Sequence, residues 1–288
     1  MAFATDLAGA VGALFGSESE GAGLSPDMTA NFHPRPAPGV EPRVPPPPLM
    51  GPTKVDSTIG EMTVVPDDYS GPMPPGAVRE SQHEQMVALY DRVAEGDSQL
   101  SIDTSNFTDD VSFWTDPFGY LDALGEARRF RAQQLGHLRD LVKTQAGFQT
   151  MSTLDSARHR TTITRGDGKS NGAGYADKDA ASMQDATTPG AGSDVTITMN
   201  PGLTTYANPG QTEQPWMTER QKYGLYHEMV HAYHAVQGRR ATGKHKGINN
   251  AEWQAMGMGP YNTLPISDNI IRQQMGKEQR PTYGGRTY

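Results

Sequence analysis

Tyr226-His227-Glu228-Met229-Val230-His231-Ala232-Tyr233-His234 is the stretch whose reading decides the fold of this chain. His227 and His231 are four apart, so on a helix their imidazoles leave one face, about 5–6 Å apart at Cβ. That separation lets one nitrogen from each ring reach a single zinc ion at about 2.0–2.1 Å. Glu228 stands beside the first histidine, where its carboxylate can take a proton from a water whose pKa zinc lowers to about 7. Met229, Val230 and Ala232 are uncharged, as a buried site helix requires. The helix is expected to start near Thr218, an N-cap with Gln221 three residues on, and to run to Gly238.

A catalytic zinc takes three protein ligands and keeps one position open. The extended pattern HExxHxxGxxH is absent, because Gln237 stands where its last histidine would be. A downstream carboxylate fits better. Glu252 follows in Asn249-Asn250-Ala251-Glu252-Trp253, a segment with helical spacing that Gly257 would stop. Residues 241–247 would form the turn that returns this second helix to the first. His245 and His234 are the competing third ligands. His245, between two lysines in a Gly-rich turn, reads more easily as a loop residue, and His234 as a residue behind the ligands or at the surface. At the C-terminal end, Arg280-Pro281-Thr282-Tyr283 puts a guanidinium and a phenol three apart. Both can stabilise an oxyanion, and an exposed tail is the competing reading. The set His227, His231 and Glu252 around zinc, with Glu228 as base, is that of a zinc-dependent endopeptidase.

Composition narrows the alternatives. The chain has 288 residues, a hydrophobic content of 35%, 32 glycines and 22 prolines, too little apolar surface for one core spanning every residue. A net charge of -8 argues against broad nucleic-acid binding and leaves room for a local basic patch. With no cysteine, thiolate metal sites, disulfides and cysteine nucleophiles are excluded. No stretch approaches the roughly 20 apolar residues of a membrane helix. The weakly apolar run around residues 7–15 lacks the basic start of a secretory signal, since the first Lys or Arg is Arg35.

Most of the prolines fall within the first 80 residues, including the run Pro45–Pro48. Residues 1–80 are therefore expected to be a disordered leader that serves secretion or translocation, and the proline run a stiff spacer. Residues 81–288 are expected to form the metallopeptidase domain. Met86, Val87, Leu89, Tyr90 and Val93 recur at helical spacing up to Gly96. A longer helix fits residues 120–145, with Leu121, Leu124, Leu135, Leu138, Leu141 and Val142 on one face and Gly147 as its stop. Short strands fit Thr161–Thr164 and Val195–Met199, joined by a Gly/Asp-rich connector, Gly166 to Ser193, expected to be a mobile loop. A last helix fits Ser267 to Met275. The order gives an α+β fold with a small sheet and an active-site helix.

These residues resemble the NleD-like zinc metallopeptidases, effectors that bacteria inject into host cells. The match runs through His227-Glu228-Met229-Val230-His231-Ala232, Asn250-Ala251-Glu252 with Gly257, Ser267-Asp268-Asn269-Ile270-Ile271-Arg272 and Arg280-Pro281-Thr282-Tyr283. It covers roughly residues 120–283. The resemblance implies a zincin-like fold, zinc, an injection apparatus as partner, and action in the target-cell cytoplasm on a host signalling protein such as a kinase. It is also similar to clostridial neurotoxin light chains in pairing HExxH with a later glutamate and an RxxY motif, which implies transition-state roles for Arg280 and Tyr283. Ala251 departs from the two acidic residues common there, and Asp268 stands where the family tends to have Glu. Two other readings compete: a non-catalytic interaction module, zinc-stabilised or metal-free, and a protease toxin aimed at competing bacteria.

Overall fold

The computed structural model describes residues 50–166, 171–175, 180–207, 210–283 and 286–287; the side chains of residues 175, 180, 181, 283, 286 and 287 are outside that description. Strands β1 (Thr53–Val55), β2 (Met62–Val65) and β3 (Val78–Arg79) form one sheet, β1 antiparallel and β3 parallel to β2. Ile59, Met62, Val64 and Val78 share the main core. The leader expected to run to residue 80 is thus corrected for residues 53–79, while its first 49 residues lie outside the described ones. Pro52, Pro66, Pro72, Pro74 and Pro75 sit outside the strands, so the ladders lose no donor. The short apolar run from Ile59 to Val65 then supplies the burial that offsets ordering.

Helix α1 (Glu80–Glu95) buries Met86, Leu89 and Val93 and ends at Gly96. Strand β4 (Leu100–Ile102) follows. Helix α2 (Pro117–Val142) opens with Pro117 and with Asp116 accepting from the Gly119 N–H. Its apolar face is buried only from Ala127 onward, and Leu121 is exposed. Gly147 does not stop this helix. It lies inside α3 (Gln145–Ser156), whose N-cap, Thr144, accepts from the Gly147 N–H at 3.0 Å. A Cβ there would come within 2.0 Å of the Leu141 carbonyl oxygen, so the glycine permits a tight helix-to-helix corner.

Strand β5 (Thr161–Arg165), β6 (Gly172–Tyr175), helix α4 (Ala180–Asp185) and β7 (Val195–Met199) complete a four-stranded sheet in the order β4-β5-β7-β6. The first three of these run parallel, and β6 is antiparallel to β7 with Ala173 opposite Ile197. The connector expected as a loop therefore holds an edge strand and a short helix. Gly172, Ala173 and Gly174 have little strand propensity of their own; pairing with β7 holds them.

Helix α5 (Arg220–Ala235) packs between β7 and α3 and is buried on nearly every side. Its N-cap is Glu219, not Thr218, whose hydroxyl donates to the Pro215 carbonyl at 2.9 Å instead. A hairpin of β8 (Lys244–His245) and β9 (Ile248–Asn249) leads into α6 (Asn250–Met256). Gly257 ends α6 at φ 70, a left-handed value suited to glycine. Helix α7 (Asp268–Gln274) has Ser267 as its N-cap, and β10 (Thr282–Tyr283) pairs with β11 (Arg286–Thr287). Mixed helices and small sheets are compatible with the α+β class expected. Among the described residues, no helix is long and apolar enough to cross a membrane.

Candidate active site

One stripe of α5 builds the floor of a cleft of about 610 Å³. Arg220, Gly224, His227, Glu228 and His231 fall at i, i+4, i+7, i+8 and i+11, and all five line it. Residues 171–173, at the start of β6, form one wall, and Glu252 and Arg280 contribute from α6 and the C-terminal segment. The path from α5 back to α6 is fastened by Gln254. Its side chain accepts from the Ala241 N–H at 2.9 Å and donates to the Arg239 carbonyl at 3.0 Å. Glu252, in the first turn of α6, is thereby carried to the two histidines.

Three donor atoms converge there. His227 Nε2 lies 3.2 Å from Glu252 Oε2 and 3.2 Å from His231 Nε2, and His231 Nε2 lies 3.5 Å from Glu252 Oε1. A tetrahedral ion with ligands at about 2.0–2.1 Å holds them about 3.3–3.4 Å apart. The imidazole, imidazole and carboxylate set suits zinc. Without a shared cation the protons conflict: if His227 Nε2–H donates to Glu252, the same nitrogen cannot accept from His231. These residues fit a zinc ion. His227 Nδ1 is buried without a hydrogen bond, so the carboxylate or carbonyl that often backs a ligating imidazole is missing at this ring.

Glu228 is 8% exposed, and burial pushes its carboxyl up to about 7. The nearby Glu252 charge adds to the rise, while His231, the Ala173 N–H and Arg280 oppose it. A cation's charge would join the opposing side. Burial would also raise Glu252, but hydrogen bonds from His227 and His231 outweigh it and hold that carboxyl well below the usual carboxylate range. The two carboxylates thus differ: one shaped to stay ionised against cationic partners, the other to exchange a proton.

Arg280 is not a tail residue. It is buried, its N–H donates to Asn269 Oδ1 at 2.8 Å, and its Nη1 lies 3.2 Å from Asp268 Oδ2. Asp268 also accepts from Arg272 Nε at 2.8 Å. Three guanidiniums, of Arg220, Arg272 and Arg280, surround the Tyr206 ring at 5.1, 5.7 and 4.7 Å from its centroid. The Tyr283 side chain lies outside the described residues, although its neighbour Thr282 lines the cleft.

The competing third ligands are elsewhere. The His245 ring packs edge-on to Trp253 at 5.6 Å, and its carbonyl accepts from Trp253 Nε1 at 2.9 Å. His234 is buried beside Tyr233, not at the surface, and burial, then His231 and Arg239, lowers its pKa to about 4. Neither joins the cluster of His227, His231 and Glu252. The Ala173 N–H, Gly224, Arg220 and Tyr206 went unread in the sequence. Only the position of Arg220 and Gly224 on the same helical stripe as the histidines could have drawn attention to them.

The family described as peptidase M91, effector protein, matches residues 123–283, more than half of the chain. No curated protein and no solved structure matches it.

Proposed function

The chain belongs to the NleD-like M91 family of effector peptidases, and on that premise we propose that it is a zinc-dependent endopeptidase acting on a protein of a recipient cell. The observation that carries this reading is the convergence of His227, His231 and Glu252, with donor atoms 3.2–3.5 Å apart, one residue from a buried carboxyl in an open cleft. Held by those three side chains, zinc supplies Lewis acidity toward the scissile carbonyl and eases deprotonation of the attacking water.

The chain's own groups do the rest. Glu228 takes the proton of the attacking water and later gives it to the leaving amine, which balances the hydrolysis. Its burial favours taking up the proton and a bound cation's charge favours giving it back, so both halves of that cycle are served. Arg280, fixed by Asp268 and Asn269 in the cleft wall, would oppose the charge growing on the carbonyl oxygen, with the Tyr283 phenol as second donor. Delivery by an injection apparatus, a leader that directs it, and a signalling kinase as target follow from the family and are proposed on that ground.

Mapping new protein N-termini in candidate recipient cells tests the reading. Cleavage products that form with the native protein and are missing with Glu228→Ala support it. Identical termini with both contradict it.

A further inference from the structure

The cleft carries a cation, Arg220, that no carboxylate among the described residues neutralises. Asp268 pairs with two of the arginines around Tyr206, and it is fully buried. Its two oxygens go to Arg272 and Arg280. Arg220 has no such partner: no carboxylate among the described residues pairs with it. The adjacent Glu219 is engaged by Lys222 at 3.2 Å and Lys277 at 2.7 Å.

Arg220 is nonetheless held in place. Its Nη1 donates to the Thr205 carbonyl at 2.8 Å and its guanidinium stacks over Tyr206. Its Nε is buried with no hydrogen bond. A guanidinium has five N–H donors, and among the described residues only the Thr205 carbonyl accepts from this one. The side chain is half-buried and lines the cleft. Gly224 lies one turn further along the same stripe. A Cβ there would meet Asn171 Nδ2 at 2.8 Å, so the glycine lets Asn171 approach the helix between Arg220 and Glu228.

Position converts this charge into a rule. Arg220 and His227 are seven positions apart on the helix, about 10.5 Å of axial rise. An extended peptide advances about 3.3–3.6 Å per residue, so that distance is about three residues of substrate. We propose that Arg220 binds a carboxylate side chain, Asp or Glu, about two to four residues from the cleaved bond. This makes acidic character part of the substrate class in a protein whose own net charge is -8. It rests on the peptidase reading above.

The test uses the zinc-loaded full chain and a synthetic peptide library in which one position at a time carries Asp, Glu, phosphoserine, Gln or Lys. The expected result is cleavage about tenfold faster for Asp or Glu than for Lys at one position within that window. Arg220→Glu should reverse the order at that same position, a change that loss of packing alone cannot produce. Should that variant fail to fold by thermal unfolding, Arg220→Gln must abolish the preference. Cleavage without charge preference, a preference unmoved in Arg220→Glu, or phosphoserine favoured while Asp and Glu behave like Gln would each overturn the proposal. If no peptide is cut although zinc is bound, the peptidase reading fails separately. Binding then decides: fluorescence anisotropy of acidic and lysine peptide pools on Glu228→Gln must show an acidic preference that Arg220→Glu removes.

Discussion

Asp268 Oδ2 and Arg280 Nη1 lie 3.2 Å apart, joining the first residue of α7 to the wall of the cleft. The same fully buried carboxylate bonds Arg272 Nε at 2.8 Å. Two cations therefore share this anion. Asp268→Asn should cost about 3–5 kcal/mol in urea unfolding, because it removes the charge that pairs with both buried guanidiniums.

The same site sets an acid sensitivity. Burial would raise the Asp268 pKa, but Arg272 and then Arg280 outweigh it and hold the carboxyl low. A folded pKa below the unfolded value, about 3.9, stabilises the fold above that value and ceases to as pH falls through the folded pKa. Unfolding free energy of the native protein should thus decline below about pH 4 by an increment that Asp268→Asn lacks. Parallel curves for the two proteins would contradict this.

Glu228→Ala should still bind zinc, since Glu228 is not among the converging donors. Its cleavage rate should drop about 10²–10⁴-fold, the range for removing a general acid–base group. Single-turnover rates alongside zinc stoichiometry check both halves.

Gly147→Ala should destabilise the fold by about 1–3 kcal/mol without touching the cleft. The added Cβ would meet the Leu141 carbonyl oxygen at 2.0 Å, a backbone atom that cannot swing aside. Chemical denaturation should register the loss, and zinc affinity should be unchanged.

Chelation should lower Tm. A ligand that binds only the folded state at about 100 times its Kd adds about 2.7 kcal/mol. Here its removal also leaves His227 and His231 nitrogens facing across 3.2 Å. Calorimetry should show recovery with zinc and little with magnesium, which prefers oxygen ligands. A Tm indifferent to chelator would contradict the assignment.

What could be read from sequence was what local chemistry dictates. The stop at Gly257 followed from capping rules, β5 and β7 followed from alternating β-branched residues, and the last helix was placed at Ser267 to Met275. The approach of Glu252 to the histidines rested on helix periodicity plus one inferred turn. Strand β6 was hidden because Gly172-Ala173-Gly174 gains its conformation from β7 rather than from its own side chains. Helix α3 was hidden by Gly147, where a close backbone approach, not a helix end, requires glycine. The cluster of Tyr206, Arg220, Arg272 and Arg280 draws on separate segments joined only by tertiary packing, so no window of sequence contains it.

X-ray absorption at the zinc edge, on the zinc-loaded native protein and on Glu252→Ala, tests the central claim most directly. One zinc per chain with two imidazole nitrogens and carboxylate oxygen at about 2.0–2.1 Å, with altered coordination and weaker binding in the variant, is the predicted result. Absence of bound zinc, or an identical spectrum and affinity without Glu252, would contradict it.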